Sequence, residues 1–454
     1  MEDSKYWFEQ APVGKAIIHM AVPMIFGMAM MCIYNFADTL FVGMLQDTAS
    51  LAAVTLCLPF STLTMAVADL FGVGGSTLMA RSIGADAQDT SRRASAFMIW
   101  GGLVASCVLV VLAAFFPQTI AALLGASEAT LAPTMAYLQV VGFGAPLMVA
   151  NLVLGQQLRA VGASKESMIG MIGSALLNIV LDPVLIFVAG WGVAGAALAT
   201  VAANGAAVMY YLFAARKSDA VSFAISNARL PFADLVSLLK IGSSAMLLAL
   251  LMSVSSLAFN SCAMAYGDEI VAAFGISQSI VQLIELVAMG LYEGVVPLIA
   301  ASYGARNAAR IKSVVKTTVV AILAYCGVAA VICFAFRGQL IGLFSTDPAV
   351  LAVGGSVLMA QLSAVIFASE SGLITGCFQA FDAGTAANAM SIVRGGAIIP
   401  LAYLGSLTFG ASGLIWSLLA AEVVSFAVAC ILLATKRGCF SGASPERQQI
   451  PQAA

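Results

Sequence analysis

Residues 15–43 read KAIIHMAVPMIFGMAMMCIYNFADTLFVG, an apolar run whose only charged side chains are Lys15 and Asp38. A helix that crosses the hydrocarbon core of a bilayer needs about 20 mostly apolar residues. This run therefore predicts a membrane-spanning helix. The polar residues before it lack the basic start and small-residue cleavage site of a secretory signal, so we expect the helix to be retained.

Eleven further apolar windows of this kind follow along the 454-residue chain. The composition agrees, because 61% of the residues are hydrophobic and only 9% are charged, against about 45–50% and 25% in soluble domains. Most of the surface must then face lipid, and we predict an all-α integral membrane protein with twelve transmembrane helices. The predicted spans lie near 15–43, 50–75, 94–116, 131–157, 168–188, 192–214, 240–265, 270–300, 314–336, 350–380, 388–408 and 411–435.

The two halves of the chain resemble each other at an offset of about 220 residues. Leu51-Ala52-Ala53-Val54 aligns with Val271-Ala272-Ala273-Phe274, and Gly192-Val193-Ala194-Gly195 aligns with Gly410-Ala411-Ser412-Gly413. An even number of helices in each half keeps the repeats parallel, as in transporters whose substrate site lies between the halves. We predict two parallel-repeat six-helix bundles around a central cavity: an N-terminal bundle at 1–220, a C-terminal bundle at 221–437, and a cytoplasmic tail at 438–454.

Lysine and arginine predict the orientation of the helices. If the N-terminus is inside, the loops after the second, fourth, sixth and eighth helices and the C-terminal tail are cytoplasmic and carry most of the basic residues. The loops on the opposite side carry only Arg337. This asymmetry is the positive-inside pattern, so we expect both termini in the cytoplasm. The basic residues on the predicted cytoplasmic side are Arg81, Arg92, Arg93, Arg159, Lys165, Arg216, Lys217, Arg229, Lys240, Arg306, Arg310, Lys312, Lys316, Lys436, Arg437 and Arg447.

Several classes of function are disfavoured. The net charge of -2 gives no reason to expect a nucleic-acid partner. The nine cysteines are scattered without a CxxC pair, and His19 is the only histidine, so neither a disulfide framework nor a zinc site is expected. The chain has no GxxxxGK[ST] loop, so we do not expect it to hydrolyse ATP.

The predicted helices contain seven acids and one base. An ionisable group at mid-bilayer costs several kcal/mol or more, so each one needs a reason. An acid-rich interior suits a cationic substrate, a coupling cation or protons, and it argues against a pathway for anions. The eight residues are Asp38, Asp69, Asp182, Glu285, Glu293, Glu370, Glu422 and Arg394.

The first half carries the sharpest constellation of these groups. Asn178 and Asp182 are four positions apart and share one helix face. Pro183 removes a backbone donor, which leaves a carbonyl free and tends to kink the helix. With Asp38 on the first helix, these oxygens could hold a proton or a hard cation such as Na⁺. The alternative is that the two carboxylates only hydrogen-bond neighbouring helices.

The acids of the second half are harder to interpret. Glu285, Glu293 and Glu370, together with Asp69 from the first half, are candidate residues of a substrate cavity. Arg394 could neutralise one of the acids in a structural ion pair, and packing roles are equally open for this group.

Several motifs together resemble one transporter family. They extend over nearly the whole chain, and the first-helix motif combined with Asn…Leu-Asp-Pro is the most specific pair. The chain resembles multidrug and toxic compound extrusion (MATE) transporters, and within them the bacterial branch of DinF-like and MepA-like pumps. The motifs are Ala11-Pro12-Val13-Gly14-Lys15, 34–43 (YNFADTLFVG), 80–84 (ARSIG), 158–162 (LRAVG), 177–183 (LNIVLDP) and 290–297 (GLYEGVVP).

The resemblance implies a secondary antiporter that exports cationic or amphipathic compounds across the bacterial inner membrane in exchange for H⁺ or Na⁺. It implies no cofactor, no further metal and no obligatory protein partner, only small-molecule substrates and membrane lipid. The family's cation site takes one Asp from helix 1, an Asn and an Asp from helix 5, and a Thr from helix 6. The matching positions here are Asp38, Asn178, Asp182 and Thr200.

Two departures bear on the second half. The predicted seventh helix has no acid in its apolar part, where one branch of the family has a Glu, and Glu293 stands where relatives often have Gln. Both favour coupling through the N-terminal bundle. The alternative functions are a flippase for lipid-linked oligosaccharides, an integral-membrane enzyme and a channel. The flippase is disfavoured because Arg394 is the only base predicted in the membrane.

Overall fold

The computed structural model describes residues 5–345 and 347–436, and all regular structure in these ranges is helical. Ten long helices, α1 to α10, each have the length and hydropathy of a membrane span. Arg81 and Arg159 lie in the last turns of α2 and α4 rather than in loops. The ten helices are α1 Val13–Gly43, α2 Thr48–Gly84, α3 Gln88–Phe115, α4 Glu128–Ala160, α5 Ser164–Pro183, α6 Gly192–Ala215, α7 Phe232–Met264, α8 Asp268–Gly304, α9 Ala308–Ala335 and α10 Pro348–Ala380.

The last 52 residues of helical structure contain two further spans. Gly410 interrupts the helix with φ 60° and ψ -141°. In a straight helix, residues 405 and 413 would be about 12 Å apart, yet a Cβ on Gly405 would lie 2.5 Å from the carbonyl oxygen of Gly413. The chain therefore reverses at Gly410. This gives α11 (Gly384–Gly396, continued over 398–409) and α12 (411–435), and confirms the prediction of twelve spanning helices.

Short helices connect some of the spans. Pro183 ends the α-helical part of α5, and the chain continues as a π-helix over Val184–Val188. Because proline cannot donate a backbone hydrogen bond, a change of winding is expected at this point. The other short helices are Tyr6–Gln10, Pro117–Leu123, Ile225–Asn227 and Arg337–Gly342.

Helices α1–α6 pack against one another as one bundle, and α7–α12 pack as a second. The connection between α6 and α7 lies on the first bundle. Ser91 Oγ donates to the carbonyl of Ala220 at 3.1 Å, and Trp100 Nε1 donates to the carbonyl of Phe223 at 3.0 Å. The tail predicted at 438–454 lies outside the described residues.

The bundles meet closely near one end of the molecule. We call this end the basic side, because it holds the connections at 85–87, 161–163, 216–231 and 305–307 beside most of the arginines and lysines. A Cβ on Gly84 would overlap the backbone of Ala301, and a Cβ on Gly304 would overlap the backbone of Arg81. Only residues without a Cβ let membrane helices approach so closely.

Polar contacts reinforce this seal between the bundles. Arg81 of α2 forms an ion pair with Asp382 at 3.2 Å and donates to Ser237 Oγ of α7 at 3.0 Å. Arg310 of α9 donates to the carbonyls of Trp7 and Ala11 at 2.9 Å, which ties the N-terminal segment to the second bundle. The basic side is thus closed by backbone packing and by ionic contacts.

Candidate functional site: a carboxylate–amide site and a cavity between the bundles

Helices α5 and α6 bring three of the predicted cation-site residues into contact. Asn178 Nδ2 lies 3.4 Å from Asp182 Oδ1 and 3.3 Å from Thr200 Oγ1. With the amide turned over, Nδ2 donates to Asp182 Oδ2 at 3.3 Å and Oδ1 accepts from the Thr200 amide at 3.2 Å. Asp182 is fully buried and Asn178 nearly so. One helical turn on α5 therefore presents an amide and a carboxylate to the hydroxyl of α6.

Asp38 of α1 completes this group from the facing helix. Its carboxylate interacts electrostatically with that of Asp182, and its Oδ1 atom is buried without a hydrogen-bond partner among the described residues. Tyr34 and Tyr137 interact with both carboxylates. A buried oxygen without a partner is uncommon in proteins and calls for an explanation. A bound proton or cation supplies one.

Two asparagines extend the group, and the sequence analysis did not identify them. Asn151 of α4 donates to Asn204 Oδ1 of α6 at 2.6 Å, and Asn204 donates to the carbonyl of Thr200 at 2.8 Å. Neither residue is charged, so a search for ionisable groups in the spans passes over both. The sequence signal was the position of Asn204, one helical turn after Thr200.

The donors of this carboxylate–amide site (Asp38, Asn178, Asp182 and Thr200) are all oxygens, or an amide that can present one. Hard cations such as Na⁺ take this type of ligand, and the carboxylates can instead take a proton. Within residues 5–345 and 347–436, no Lys, Arg or His lies within ion-pair distance of Asp38 or Asp182. The two carboxylates therefore have no counter-ion at this distance among the described residues.

A separate cavity of about 230 Å³ lies between the two bundles. Asp69 of α2 and Glu293 of α8 line it, as predicted from their charge, and Asp69 accepts a hydrogen bond from Gln156 at 3.3 Å. Glu285 and Glu370 are not among its lining residues. The other residues around it are Val73, Ser76, Thr77, Arg159, Ala245, Leu248, Ala249, Tyr292, Val296, Pro297, Gly372, Thr375, Gly376, Gln379 and Arg394.

Arg159 lies at a position that the sequence analysis assigned to a loop. It lines the cavity from the last turn of α4, donates to Ser167 Oγ at 3.2 Å, and interacts electrostatically with Glu293 and Asp69. The apolar window ended before this residue, but the helix continues through it. The cavity wall therefore contains two arginines, and the expectation of a single base in the interior is wrong.

Arg394 also organises the acids inside the second bundle. It interacts electrostatically with Glu285 and Glu422 and donates to the carbonyl of Ala368 at 3.3 Å. Glu370 is 6% exposed, and its Oε1 atom has no hydrogen-bond partner among the described residues. The acids of the second half therefore fall into two groups: Glu293 in the cavity wall, and Glu285, Glu370 and Glu422 within the bundle.

Comparison with known proteins places this geometry in context. The family model MatE matches residues 23–184 and 245–404. Proteins named multidrug export protein MepA are similar along nearly their whole length. The one from Staphylococcus saprophyticus is 36% identical over 95% of this chain and 96% of the relative, and the one from Staphylococcus aureus strain NCTC 8325 is 37% identical over the same shares.

Two solved structures share the fold. A crystal structure of MATE in complex with MaD3S superimposes with a TM-score of 0.87 at 24% identity, over 98% of this chain and 100% of the other. An outward-facing conformation of a multidrug resistance MATE family transporter of the MOP superfamily gives a TM-score of 0.85 at 25% identity, over 96% and 99% of the two chains.

Proposed function

Because this chain belongs to the MatE family of membrane transporters, we propose that it is a secondary antiporter that exports cationic or amphipathic compounds in exchange for H⁺ or Na⁺. The chain is a transporter and not an enzyme. The observation that carries the coupling mechanism is the carboxylate–amide site. Asp38 and Asp182 interact electrostatically inside the first bundle, beside Asn178 and Thr200 and without a basic partner among the described residues.

In this proposal the coupling ion binds at Asp38 and Asp182. Asn178, held by Thr200, orients the Asp182 carboxylate, and α1, which packs against α5, contributes Asp38. Two facing carboxylates repel each other unless a cation or a proton lies between them. Ion binding therefore favours an arrangement with α1 close to α5, and ion release favours one with the two helices apart.

The inter-bundle cavity receives the exported compound. A ligand drives a conformational change only through its different affinity for the two states. Export in exchange for an ion requires that ion and substrate favour opposite openings of the cavity, so that entry of one expels the other. The cavity lies beyond the seal formed by Arg81 and Asp382, as seen from the basic side.

We assign the basic side to the cytoplasm, following the positive-inside rule. Both termini are then cytoplasmic, the protein lies in the bacterial inner membrane, and the arrangement described here is closed to the cytoplasm. This assignment rests on the arginines and lysines of the connections, such as Arg216, Lys217 and Arg306. The assignment is tested with a cysteine introduced at Lys217 and an impermeant labelling reagent. The reagent is applied to intact cells and to inverted vesicles. Labelling of this cysteine in intact cells would show that the basic side faces outward and would overturn the assignment.

The decisive test of the antiport mechanism uses purified protein in liposomes. A pH gradient and a Na⁺ gradient are imposed separately, and efflux of a fluorescent cationic dye is followed. Wild type is compared with Asp38→Asn, Asp182→Asn and the control Glu128→Gln, which removes an exposed acid at the start of α4. We expect one gradient to drive efflux in wild type and in the control, and neither to drive it in the two Asp variants. Wild-type rates in Asp38→Asn would refute the mechanism.

The second candidate function is a flippase for an anionic lipid-linked substrate. Arg159 and Arg394 in the cavity wall favour it, and they remove the argument that only one base is available. If neither gradient moves the dye, scrambling of a fluorescent anionic lipid in the same liposomes separates the two functions.

A further inference from the structure

The segment before α1 crosses the junction between the bundles on the basic side. We call this segment, Lys5–Ala11, the strap. Its first residue, Lys5, forms an ion pair with Asp86 in the connection between α2 and α3, which belongs to the first bundle. Two of its backbone carbonyls accept hydrogen bonds at 2.9 Å from Arg310, in the first turn of α9 of the second bundle. The strap therefore holds on to both bundles.

The two connections beside the strap occupy equivalent places in the internal repeat. Residues 83–86 read IGAD and residues 303–306 read YGAR, at an offset of 306 − 86 = 220. Asp86 and Arg306 both have a positive φ, 56° and 54°. The glycines before them, Gly84 and Gly304, make the close backbone contacts of the seal. The strap thus spans the place where the bundles have to separate if the basic side opens.

The strap has a defined structure of its own. It forms one π-helical turn, closed by a 2.8 Å hydrogen bond from the Ala11 amide to the Tyr6 carbonyl. Phe8 is only 1% exposed and joins the main apolar core. Trp7 stacks on His19 of α1, with ring centroids 3.9 Å apart and planes 4° from parallel, and the turn packs against α8. These contacts fix the backbone whose carbonyls accept from α9.

Arg310 directs its charge at the strap. Its two terminal nitrogens donate to strap carbonyls, and it interacts electrostatically with Glu9 of the strap. In the part of the chain that the structure describes, no carboxylate lies within 4 Å of this guanidinium, and its Nε is buried without a hydrogen-bond partner. Hydrogen bonds from an ionised donor are stronger than those between neutral groups. The contact of α9 with the strap is therefore a strong one.

The ends of the strap belong to different bodies. Covalent continuity with α1 and the ion pair with Asp86 attach it to the first bundle, while Arg310 belongs to the second. We propose that the strap locks the seal on the basic side: it moves with the first bundle and must leave Arg310 before the cavity opens on that side. This rests on the proposed alternation between two openings of the cavity.

The first experiment replaces each contact of the strap by a covalent link. Cysteines at Gln10 and Arg310, joined by a short flexible thiol cross-linker, tie the strap to α9. Cysteines at Lys5 and Asp86, joined in the same way, tie it to the first bundle. Efflux of the dye from liposomes is measured before and after linking, and mass spectrometry gives the linked fraction. Each single-cysteine variant, treated with the same reagent, controls for reaction of native thiols.

The two links should have different effects. We expect the link to α9 to lower efflux about 10-fold or more, because a state that the link excludes cannot be populated. The link to Asp86 should lower it less than about 2-fold, since strap and first bundle move together in either case. Unchanged efflux in protein fully linked between positions 10 and 310 would refute the lock.

The second experiment weakens the lock. A cysteine at Ser76, in the cavity wall, reports opening by its reaction with an impermeant maleimide, and no described residue of this wall is a native cysteine. The reagent is applied to inverted vesicles, where the basic side is accessible, and to intact cells. We expect Arg310→Gln to raise the rate in inverted vesicles about 10-fold, because it removes charge-assisted hydrogen bonds, and not to raise the rate in intact cells.

The variants separate a lock from a general loosening of the protein. Arg310→Lys should fall between wild type and Arg310→Gln, because lysine keeps the charge but lacks the planar fork. Lys312→Gln, which removes an exposed charge two positions along α9, should change neither rate. An unchanged rate in Arg310→Gln, or an equal rise in both preparations, would overturn the proposal.

The outcome for the antiport mechanism is independent. The Lys217 cysteine reports the orientation in the same vesicles, and a reversed orientation only exchanges the two preparations. Ion-driven efflux that survives the link to α9 would refute the lock and leave the antiporter intact. If no gradient drives efflux before linking, the antiporter is refuted, and labelling at position 76 still decides the lock.

Discussion

The two bundles carry buried acids in opposite electrostatic settings. In the first bundle, Asp38 and Asp182 interact electrostatically with each other, and no base of the described residues lies within ion-pair distance. In the second bundle, Glu285 and Glu422 interact electrostatically with Arg394. Glu285 and Glu422 therefore lie in the field of a positive charge, whereas no base among the described residues acts on Asp38 or Asp182.

This difference explains how two bundles of similar sequence can have different roles in transport. A site that lacks a counter-ion changes its charge when a proton or Na⁺ arrives, and the large Coulomb energy in a low-dielectric interior then moves helices. The same ion releases much less electrostatic energy at a site with an internal arginine, because the arginine already offsets the negative charge. We therefore expect ion coupling in the first bundle and a structural role for the acids around Arg394.

The largest expected effect separates the two bundles directly. Asp182→Asn should reduce gradient-driven efflux about 100-fold or more, because it removes an interaction on which the coupled step depends. Glu422→Gln should change efflux less than 3-fold. Both rates are measured in the same liposome preparation with matched protein content. A loss in Glu422→Gln as large as that in Asp182→Asn would end the proposed asymmetry.

The next effect concerns the stability of the second bundle. Arg394→Gln should destabilise the protein by about 1–3 kcal/mol, because it removes the hydrogen bond to the carbonyl of Ala368 and the electrostatic interaction with Glu285 and Glu422. Thermal unfolding in detergent measures this, with the exposed Arg93→Gln as the control, expected within about 0.5 kcal/mol of wild type. The triple variant Arg394→Gln, Glu285→Gln, Glu422→Gln should recover most of the loss. Failure to recover would show that Arg394 acts through other contacts.

A smaller effect is expected when the amide hydrogen bonds of the two bundles are removed in turn. Asn204→Ala should cost about 1 kcal/mol of stability, since hydrogen bonds between membrane helices contribute about 0.6 and at most about 1.7 kcal/mol. It should also weaken binding of the coupling ion several-fold, because Asn204 links Asn151 of α4 to the backbone carbonyl of Thr200 beside the site. Gln361→Ala, which removes the 3.4 Å contact to Gln278 in the second bundle, should lower stability without changing ion affinity. Equal ion affinity in Asn204→Ala and wild type would remove Asn204 from the site.

The smallest effect concerns the seal between the bundles. Asp382→Asn removes the ion pair with Arg81, and partly exposed pairs contribute about 0.2–1 kcal/mol. We expect a shift of up to about 5-fold towards the state open on the basic side. The rate of modification of a cysteine introduced at Ser243 reports this opening. An unchanged rate would mean that the glycine contacts at Gly84 and Gly304 keep the seal closed without the ion pair.

The sequence alone determined the membrane class, the twelve spans and the pairing of Asn178 with Asp182. Apolar length and helical periodicity are local properties, so these predictions needed no knowledge of packing. Asp38 was identified by its cost inside a bilayer. Thr200 came from the resemblance to MATE transporters, because a threonine in an apolar helix has no distinguishing signal of its own.

The tertiary structure alone decided which side chains meet. It brought Asn151 and Asn204 to the carboxylate–amide site, turned Arg159 into the cavity, and kept Glu285 and Glu370 out of the cavity wall. The physical reason is that these helices are apolar all round, because both lipid and protein neighbours are apolar. Without a hydrophobic stripe, the sequence does not tell which face of a helix packs inward. The rotation of each helix is set by contacts such as those of Gly84 and Gly304, and these exist only once the bundles have assembled.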